Sequence, residues 1–384
     1  MPAGAAPIPL SDPAWRSALV SVLAGNGLHL VAQPIADTAM ARVGGYELLA
    51  RFDGPPEAAP DIWFAAARFA GLDAQLTLRV FEQMHTLRAA RPDIGFLTVN
   101  VEPHLLADPA VLEALLGNGG LDRVVVELTE HVEAEDSVRL DRALQSIREA
   151  GARVAMDDAG TGYSGLSQML RIRPDIVKLD RVLVTGMDRD PIQRAAVHLL
   201  GDLAVQMNAT LLAEGVETSG ELEEVIRMGV PLVQGWAVGR PQPGWVDLTG
   251  ETRDFIARTF YACASGDHVL PIVRVATVVP ARSDHVGGDL DGALALVLPT
   301  GAVLLDHGGR ARHVSVSDPT GRVHAVPALT VMATASPVDA LRRAFARLDE
   351  FRYAPLVCVD ARGCVLGIVE IADLVDRVVG RPRL

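Results

Sequence analysis

Seven polar residues whose side chains suit acid–base or metal chemistry stand at or near the carboxyl ends of apolar, strand-like runs. They are Glu47, Asn100, Glu127, Asp157, Lys178, Glu214 and Gln234. Any one of them alone fits a capping or turn residue. Their succession at strand end after strand end, rich in oxygen ligands, instead indicates one shared site, because barrel enzymes build their sites at that rim.

Two of the acids, Asp157 and Asp158, are adjacent, and a glycine-rich, hydroxyl-bearing loop follows them at 159–165. Inside a regular strand their side chains would point to opposite faces, but where the backbone turns at a strand end both can face one pocket. Crowded carboxylates repel each other and so favour a divalent cation. The alternative is an ordinary turn, since Asp, Gly and Ser are common turn residues.

The oxygen ligands of this set suit Mg²⁺ or Mn²⁺ rather than zinc, whose sites usually carry His or Cys. So many acids fit two ions that share one bridging carboxylate and promote an in-line phosphoryl displacement. Lys178 could orient or deprotonate the attacking water, and Arg51 could bind a phosphate oxygen as a fork donor. The residues therefore predict metal-dependent phosphodiester hydrolysis and leave the substrate open.

The elements that must position these residues form an alternating pattern of strands and helices. Strand-like runs occupy 28–35, 43–51, 95–100, 123–127, 152–157, 175–180, 209–214 and 231–235, and helical spacing covers 12–25, 61–90, 107–117, 136–150, 190–207 and 218–228. This order predicts an α/β fold, a TIM-like (β/α)8 barrel, with an open doubly wound sheet as the alternative. The first two strands lie too close in sequence for a helical crossover, so they should pair antiparallel.

Composition limits the classes of partner. The 384 residues suffice for one large domain and a smaller one, and the net charge of −13 argues against nonspecific binding to nucleic acid or anionic membranes. No apolar run reaches the roughly 18 residues of a membrane span. The three cysteines, Cys263, Cys358 and Cys364, lack metal-ligand spacing and suit a reducing compartment. We therefore expect a soluble, cytoplasmic protein.

The run Glu47-Leu48-Leu49-Ala50-Arg51 resembles the E-A-L-x-R signature of the EAL family of cyclic di-GMP phosphodiesterases. Further motifs follow in family order over about residues 25–245: Gln33-Pro34-Ile35, Asn100, Glu127-Leu128-Thr129-Glu130, Asp157-Asp158, Lys178-Leu179-Asp180, Glu214-Gly215-Val216-Glu217 and Gln234-Gly235. The resemblance implies a barrel with one antiparallel strand, two Mg²⁺ or Mn²⁺ ions per site, hydrolysis of cyclic di-GMP to linear pGpG in bacterial signalling, and a homodimer.

The resemblance also implies roles for individual residues. One metal would be held by Glu47, Asn100, Glu127 and Asp157, and the second by Asp157, Asp158 and Glu214. Lys178 would position the attacking water, while Glu217 and Gln234 would support metal-bound waters. Substrate-binding positions correspond to Gln33, Leu49 and Arg51, and Glu130 corresponds to an anchor of the loop after Asp158.

Two departures from the family pattern affect the expected activity. Leu48 replaces a small alanine, adds bulk beside Glu47 and is expected to crowd the substrate, and Ala159 replaces a phenylalanine that anchors the neighbouring loop. Trp236 for tyrosine is a milder change. The complete acid set favours a competent enzyme. The alternatives are a catalytically weak or inactive cyclic di-GMP receptor and a structural partner protein assembled through the C-terminal region.

The C-terminal region, most clearly residues 325–380, resembles a CBS motif in the wording PLVCVDARGCVLGIVEIADLV. Its predicted order is β-α-β-β-α, with a helix opening at 330 and continuing to 350, strands at 354–360 and 365–369, and a helix at 371–379. The predicted division is a barrel at 1–255, a linker at 256–270 and a smaller α+β CBS-like domain at 271–384. Such modules often bind adenine nucleotides; here Glu370 replaces the usual hydroxyl residue while Asp373 is retained, so a dimerisation or docking module is the alternative.

Overall fold

The structure is a computed structural model. It describes residues 9–117, 120–128, 137–159, 163–207, 209–264, 269–279, 299–305, 310–318, 320–347, 351–360 and 363–379.

A closed barrel of eight strands forms the larger part of the molecule. Its strands, in spatial as in chain order, are β1 (Leu28–Asp37), β2 (Arg42–Phe52), β3 (Phe96–Val101), β4 (Val124–Leu128), β5 (Arg153–Ala159), β6 (Ile176–Leu179), β7 (Thr210–Ala213) and β8 (Leu232–Gln234). Strand β1 runs antiparallel to both neighbours, and all other pairings are parallel. The barrel and its antiparallel first pair are confirmed, and the open sheet is excluded.

Helices cover the outside of the barrel. They are α1 (Pro13–Leu23), α2 (Pro60–Ala70), α3 (Asp73–Ala90), α4 (Pro103–Leu106), α5 (Pro109–Leu116), α6 (Ser137–Glu149), α7 (Tyr163–Ile172), α8 (Arg181–Val184), α9 (Pro191–Met207), α10 (Ser219–Arg227) and α11 (Gly250–Ala264). The helical stretch predicted over 61–90 is confirmed and is divided into α2 and α3, because Gly71 adopts a left-handed φ of 66° and its N–H closes α2 on Ala67 and Arg68.

The barrel interior follows from the two-residue period of its strands. Every second side chain points inward, and those nearest the amino end of the strands fill the barrel with apolar groups: Ile35, Phe96, Val125, Ala155, Ile176, Leu212 and Leu232. The next inward positions along each strand then lie at the carboxyl rim. This parity brings the polar residues of the candidate site to one end.

The C-terminal region forms two small sheets that pack on each other. The first contains β9 (Val278–Val279), β10 (Val303–Leu305), β11 (Ala311–Ser317) and β12 (Val323–Pro327), and the second contains β13 (Thr330–Met332), β14 (Leu356–Val359) and β15 (Val365–Val369). Helices α12 (Pro337–Phe345) and α13 (Ile371–Val379) complete it. The helix predicted from 330 to 350 is wrong at its start: 330–332 pair with β14, and Ser336 caps α12.

The C-terminal region packs against the barrel, and buried residues of both belong to one contiguous apolar cluster. Met332 packs on the barrel's own interior core. A guanidinium nitrogen of Arg42, at the start of β2, lies 2.6 Å from the carboxylate of Asp360, whose side chain is 0% exposed. Arg310 donates to the carbonyl of Gly151 at 2.7 Å. Within the described residues, no helix is both long and apolar enough to cross a membrane.

Candidate active site

The barrel strands place acidic and amide side chains two residues beyond the apolar interior core. Glu127 follows Val125 on β4, and Asp157 follows Ala155 on β5. The same step separates Lys178 from the interior position before it on β6. Strand β1 runs the other way, so Gln33 precedes its interior residue and pairs with Glu47 on β2. The side chains therefore meet because strand parity repeats around the barrel.

Lys178 lies at the centre of this rim. Its ammonium nitrogen is 2.6 Å from carboxylate oxygens of both Glu127 and Glu214. It is 3.2 Å from Asp157 Oδ1 and 3.8 Å from Glu47 Oε1, and the lysine side chain is only 1% exposed. Four carboxylates from four strands thus converge on one cation, which leaves an excess of negative charge in a buried place.

Amide side chains hold Glu47 from the other side. Asn100 Nδ2 donates to Glu47 Oε1 at 3.0 Å, and Gln234 Nε2 donates to Glu47 Oε2 at 2.5 Å. Gln234 Nε2 also donates to Gln33 Oε1 at 3.1 Å, and Gln33 Nε2 donates to the carbonyl of Gly239. This network fixes the orientation of Glu47 toward the rim, since Gln234 is itself held by Gln33 and Gln33 by Gly239.

Burial and the neighbouring charges shift the pKa values of the rim carboxylates and of Lys178. Burial raises the pKa of Glu127 well above its usual range, against the attraction of Lys178. Burial also raises the pKa of Glu214, to about 8. Burial acts in the same direction on Glu47, but Lys178 and the amide hydrogen bonds overcome it and lower the pKa of that carboxyl. The four carboxylates overcome the desolvation of Lys178 and raise its pKa well above 10.5, so the lysine stays charged.

An open cavity of ≈ 250 Å³ lies over these groups. It brings together most of the predicted site residues, and its lining includes Gln33, Glu47, Leu49, Asp157, Lys178, Glu214, Glu217 and Gln234. Glu127 lies beneath it, in contact with Lys178, and Asn100 reaches it through Glu47. Residues from β1, β2, β5, β6, β7 and β8 therefore share one small concave site.

Besides two glycines, two side chains that line the cavity were not among the predicted site residues. Arg181, at the start of α8, lies 3.0 Å from a carboxylate oxygen of Glu217, and Trp236 stacks under the guanidinium of Arg240 at 3.8 Å. Their positions in the sequence could have identified them, since Arg181 directly follows the Lys178-Leu179-Asp180 motif and Trp236 directly follows Gln234-Gly235. A further unused signal is that Lys178 is the only lysine in the chain.

Two glycines let the loop after β7 approach the end of β8. Gly215 has a φ of 63°, and a side chain there would collide with Arg181. A Cβ at Gly235 would come within 2.2 Å of the Val216 carbonyl oxygen. The N–H of Val216 in turn donates to the Gln234 carbonyl at 3.1 Å. This close contact holds Glu214 and Glu217 beside Gln234, and any larger residue would separate them.

Some predicted residues lie elsewhere. Arg51 shares the inward parity of Glu47 on β2, but it stands beyond the cavity and donates to the carbonyl of Ala50 at 2.8 Å. Glu130 and the side chains of Asp158 and Ala159 lie outside the described residues. The expectation that Leu48 crowds the substrate is wrong, because it points away from Glu47 and is buried in the core beneath the helices.

The oxygen donors of the rim are of the kind that a divalent ion requires. Carboxylate and amide oxygens are its preferred donors, and the buried Glu127 Oε1 has no hydrogen-bond partner among the described residues. As arranged here, however, no group of three or more His, Cys, Asp or Glu side chains in the described ranges is ready to hold an ion. The Lys178 ammonium stands between the acids and neutralises part of their charge. The donors thus fit a divalent ion chemically.

Comparison with known proteins gives the wider context. The chain is 28% identical to cyclic di-GMP phosphodiesterase PdeF of Escherichia coli (strain K12) over 243 residues, 60% of this chain and 32% of PdeF. It is 33% identical to cyclic di-GMP phosphodiesterase PdeR of the same strain over 152 residues, 38% of this chain and 23% of PdeR. The chain thus spans about a third or less of these curated relatives.

A solved structure shares the fold. It is Klebsiella pneumoniae BlrP1 in complex with manganese and cyclic di-GMP, 29% identical, with a TM-score of 0.53, covering 58% of this chain and 58% of that one. The EAL domain model matches residues 15–241, more than half of the chain and the whole of the barrel. The chain therefore belongs to the EAL domain family.

Proposed function

We propose that the protein hydrolyses cyclic di-GMP to linear pGpG in bacterial second-messenger signalling. The observation that carries this proposal is the convergence of Glu47, Glu127, Asp157 and Glu214 on the barrel rim, around one cation. Relatives in the family are named for this activity, and BlrP1 was solved with the dinucleotide. In the reaction a water oxygen bonds to phosphorus while the bond from phosphorus to the 3′ oxygen breaks.

Two divalent ions, Mg²⁺ or Mn²⁺, are part of this proposal. Glu47, Asn100, Glu127 and Asp157 would hold one, and Asp157, Asp158 and Glu214 the other. When bound, the ions supply Lewis acidity that activates water and neutralises charge on the phosphoryl group. The excess of buried carboxylates over lysine and the partnerless Glu127 oxygen support it.

The remaining side chains position water and substrate. Because the pKa of Lys178 is raised well above its usual value, the ammonium cannot accept a proton, and we assign it the orientation of the attacking water. Glu217 and Gln234 support waters at the rim, where Gln234 also holds Glu47. Glu130 would anchor the loop after Asp158.

Substrate contacts are assigned to the groups around the cavity. Gln33, Leu49 and Arg51 retain the substrate-binding roles predicted from the family motifs. Arg181 adds a half-exposed guanidinium within the cavity, suited to a phosphate oxygen. Trp236 is 50% exposed and lines the same cavity; one face of its ring lies against Arg240, and we assign the other face to stacking on a guanine.

The test is the initial rate of pGpG formation by the purified full-length protein with Mg²⁺ or Mn²⁺. Replacing Glu127 with glutamine keeps its size and removes its charge, so we expect the rate to fall by about a hundredfold or more. Glu223→Gln is the matched control, since that residue is exposed and pairs with Arg227 on the surface of α10. A rate in Glu127→Gln equal to that of Glu223→Gln would contradict the proposal.

A second candidate is a catalytically weak or inactive receptor that binds cyclic di-GMP. The position of Lys178 favours it, because an ammonium 2.6 Å from two carboxylates competes with the metal ions for the same oxygens. This function predicts binding of the dinucleotide in calorimetry without release of pGpG, and unchanged binding in Glu127→Gln. Rapid release of pGpG at a saturating metal concentration excludes it.

For the C-terminal region we propose a CBS-like dimerisation module and hence a homodimer. Its β-α-β-β-α order supports this, as do the exposed Val375, Val378 and Val379 on α13. We do not propose an adenine nucleotide, because the Asp373 carboxylate that it would need already accepts two hydrogen bonds from Arg274, at 2.7 and 2.9 Å. Sedimentation of the full chain and of Val379→Asp tests the dimer, which the introduced charge should weaken.

Since the proposed substrate is an intracellular messenger, we also propose that the protein is cytoplasmic.

A further inference from the structure

A second concave site lies at the opposite end of the barrel from the candidate active site. It is a cavity of ≈ 420 Å³ between the end of α3 and the starts of β3 and β4. Three arginines, Arg88, Arg91 and Arg123, line it together with His85, and Asp122 is the acid in its described lining. Such a concentration of guanidinium groups is unexpected in a chain with a net charge of −13.

The three arginines differ in how they are held. Arg88 donates to the carbonyl of Gly120 at 2.6 Å, and Arg91 forms a two-point contact with Asp93 at 2.9 and 3.1 Å. Arg123 is exposed, and its guanidinium forms no hydrogen bond or ion pair with the described residues. Burial lowers the pKa of Arg88, Asp122 opposes that effect, and the nearby charge of Arg123 lowers it further. Asp93 and Asp122 partly compensate the three guanidinium groups, and Asp93 interacts with both Arg91 and Arg123.

The backbone at Arg123 gives a second, independent indication. Its φ is 63°, in the left-handed region that glycine adopts readily and a branched or long residue rarely does. The chain nevertheless carries arginine at this position, directly before β4. Ala41 and Arg173 share this conformation, and Arg123 is the one of the three that lines this cavity.

We propose that this cavity binds the phosphate group of a small anionic molecule. Arginine presents planar, paired donors that match phosphate oxygens, and three of them around one cavity suit a group of more than one negative charge. The site is concave and of the size of small-molecule pockets rather than a flat surface for a protein partner. Its apolar wall, formed by Ala89, Pro92, Ile94 and Leu97, would contact the organic part of the ligand.

The experiment is calorimetric titration of the full-length chain with inorganic pyrophosphate and, separately, with inorganic phosphate. EDTA is present, so that divalent ions at the acidic rim cannot recruit either probe. Arg123→Gly removes the unpaired guanidinium and at the same time relieves the left-handed backbone, so this variant should fold at least as well as the wild type. Arg189→Ala is the control. The Arg189 side chain is 88% exposed, pairs with its neighbour Asp188 and does not line this cavity.

We expect pyrophosphate to bind the wild type and Arg189→Ala equally, and Arg123→Gly at least about tenfold more weakly. Inorganic phosphate that binds as tightly as pyrophosphate would support a ligand with a single phosphate, and weaker binding would support a diphosphate. Absence of binding to the wild type, or equal binding to Arg123→Gly and the wild type, would overturn the proposal. Neither result depends on whether cyclic di-GMP is hydrolysed.

Discussion

The two ends of the barrel carry opposite charges on the same strands. Strand β5 begins with Arg153 and places Asp157 near its other end, and β2 begins with Arg42 and carries Glu47 at the rim. At the carboxyl end the acids share one lysine. At the amino end Arg42 pairs with the buried Asp360, and Arg153 lies 4.7 Å over the ring of Phe96, with Asp175 and Asp360 opposing the effect of burial on its pKa.

The carboxyl end is therefore a site that attracts cations, whereas the amino end is a surface that holds the barrel and the C-terminal region together. Burying several carboxylates around one ammonium leaves charge that a divalent ion would neutralise. At the amino end, acids and an aromatic ring face Arg42 and Arg153, and the partner of Arg42 belongs to the C-terminal region. Arg123, in the second cavity, forms no hydrogen bond or ion pair with the described residues.

The largest effect should come from removing the single cation of the rim. In Lys178→Met without divalent ions, four carboxylates lose their shared partner, and we expect a loss of roughly 3–5 kcal/mol in the free energy of unfolding. Mn²⁺ should restore a large part of it, because the ion replaces the lost charge. Thermal unfolding with and without Mn²⁺ measures both, with Arg227→Met as control, since that arginine is exposed and pairs with Glu223 on the surface of α10. A Lys178→Met variant that is as stable as the wild type and whose stability does not change with Mn²⁺ would contradict the proposed difference between the two ends of the barrel.

A smaller loss is expected at the amino end. Arg42→Ala removes the guanidinium that lies 2.6 Å from the fully buried Asp360 carboxylate. That carboxylate still accepts a hydrogen bond from the N–H of Cys364 at 2.8 Å. We expect a loss of about 2 kcal/mol, with no response to Mn²⁺. Arg227→Ala, which breaks an exposed pair with Glu223, should cost less than about 0.5 kcal/mol. Chemical denaturation of the three proteins distinguishes these cases, and equal losses in both variants would refute the contrast.

The smallest effect should be a dependence of stability on pH in the metal-free protein. Burial raises the pKa of Glu214 to about 8, whereas an unfolded glutamate titrates near its ordinary value. The folded state therefore holds the proton more tightly, so its stabilising contribution is complete at low pH and is lost as the pH rises to about 8. We expect Tm to fall by a few degrees from about pH 6 to about pH 8 in EDTA. Glu214→Gln should lose this slope; an unchanged slope in that variant would assign the effect to another group.

Much of the fold could be predicted because strand parity and spacing are local properties. The predicted strand bounds lie within two residues of those observed, and the helix from 371 to 379 is reproduced. The departures have local causes as well. Gly71 divides the helical stretch 61–90 in two by adopting a left-handed conformation, and the β-branched residues at 330–331 pair with β14 before α12 begins.

The candidate site was predictable in its members but not in its contacts. Leu48 follows Glu47 on a strand, so period-two alternation already places its side chain on the opposite face. By contrast, the distances from Lys178 to acids on β2, β4, β5 and β7 depend on closure of the whole barrel, which no local pattern encodes. The same holds for Arg88 and Arg123, which belong to different strand–helix units and meet only in three dimensions.

The most direct test of the acidic rim uses the fact that Lys178 is the only lysine in the chain. Protein labelled with ¹³C-lysine gives a single side-chain signal, whose chemical shift can be followed as a function of pH without and with millimolar Mg²⁺. If divalent ions bind the carboxylates, the signal should move on addition of Mg²⁺, and the pKa of Lys178, raised by those carboxylates, should fall toward its ordinary value. A signal and a pKa that do not respond to Mg²⁺ would contradict the proposal that this rim is a metal site.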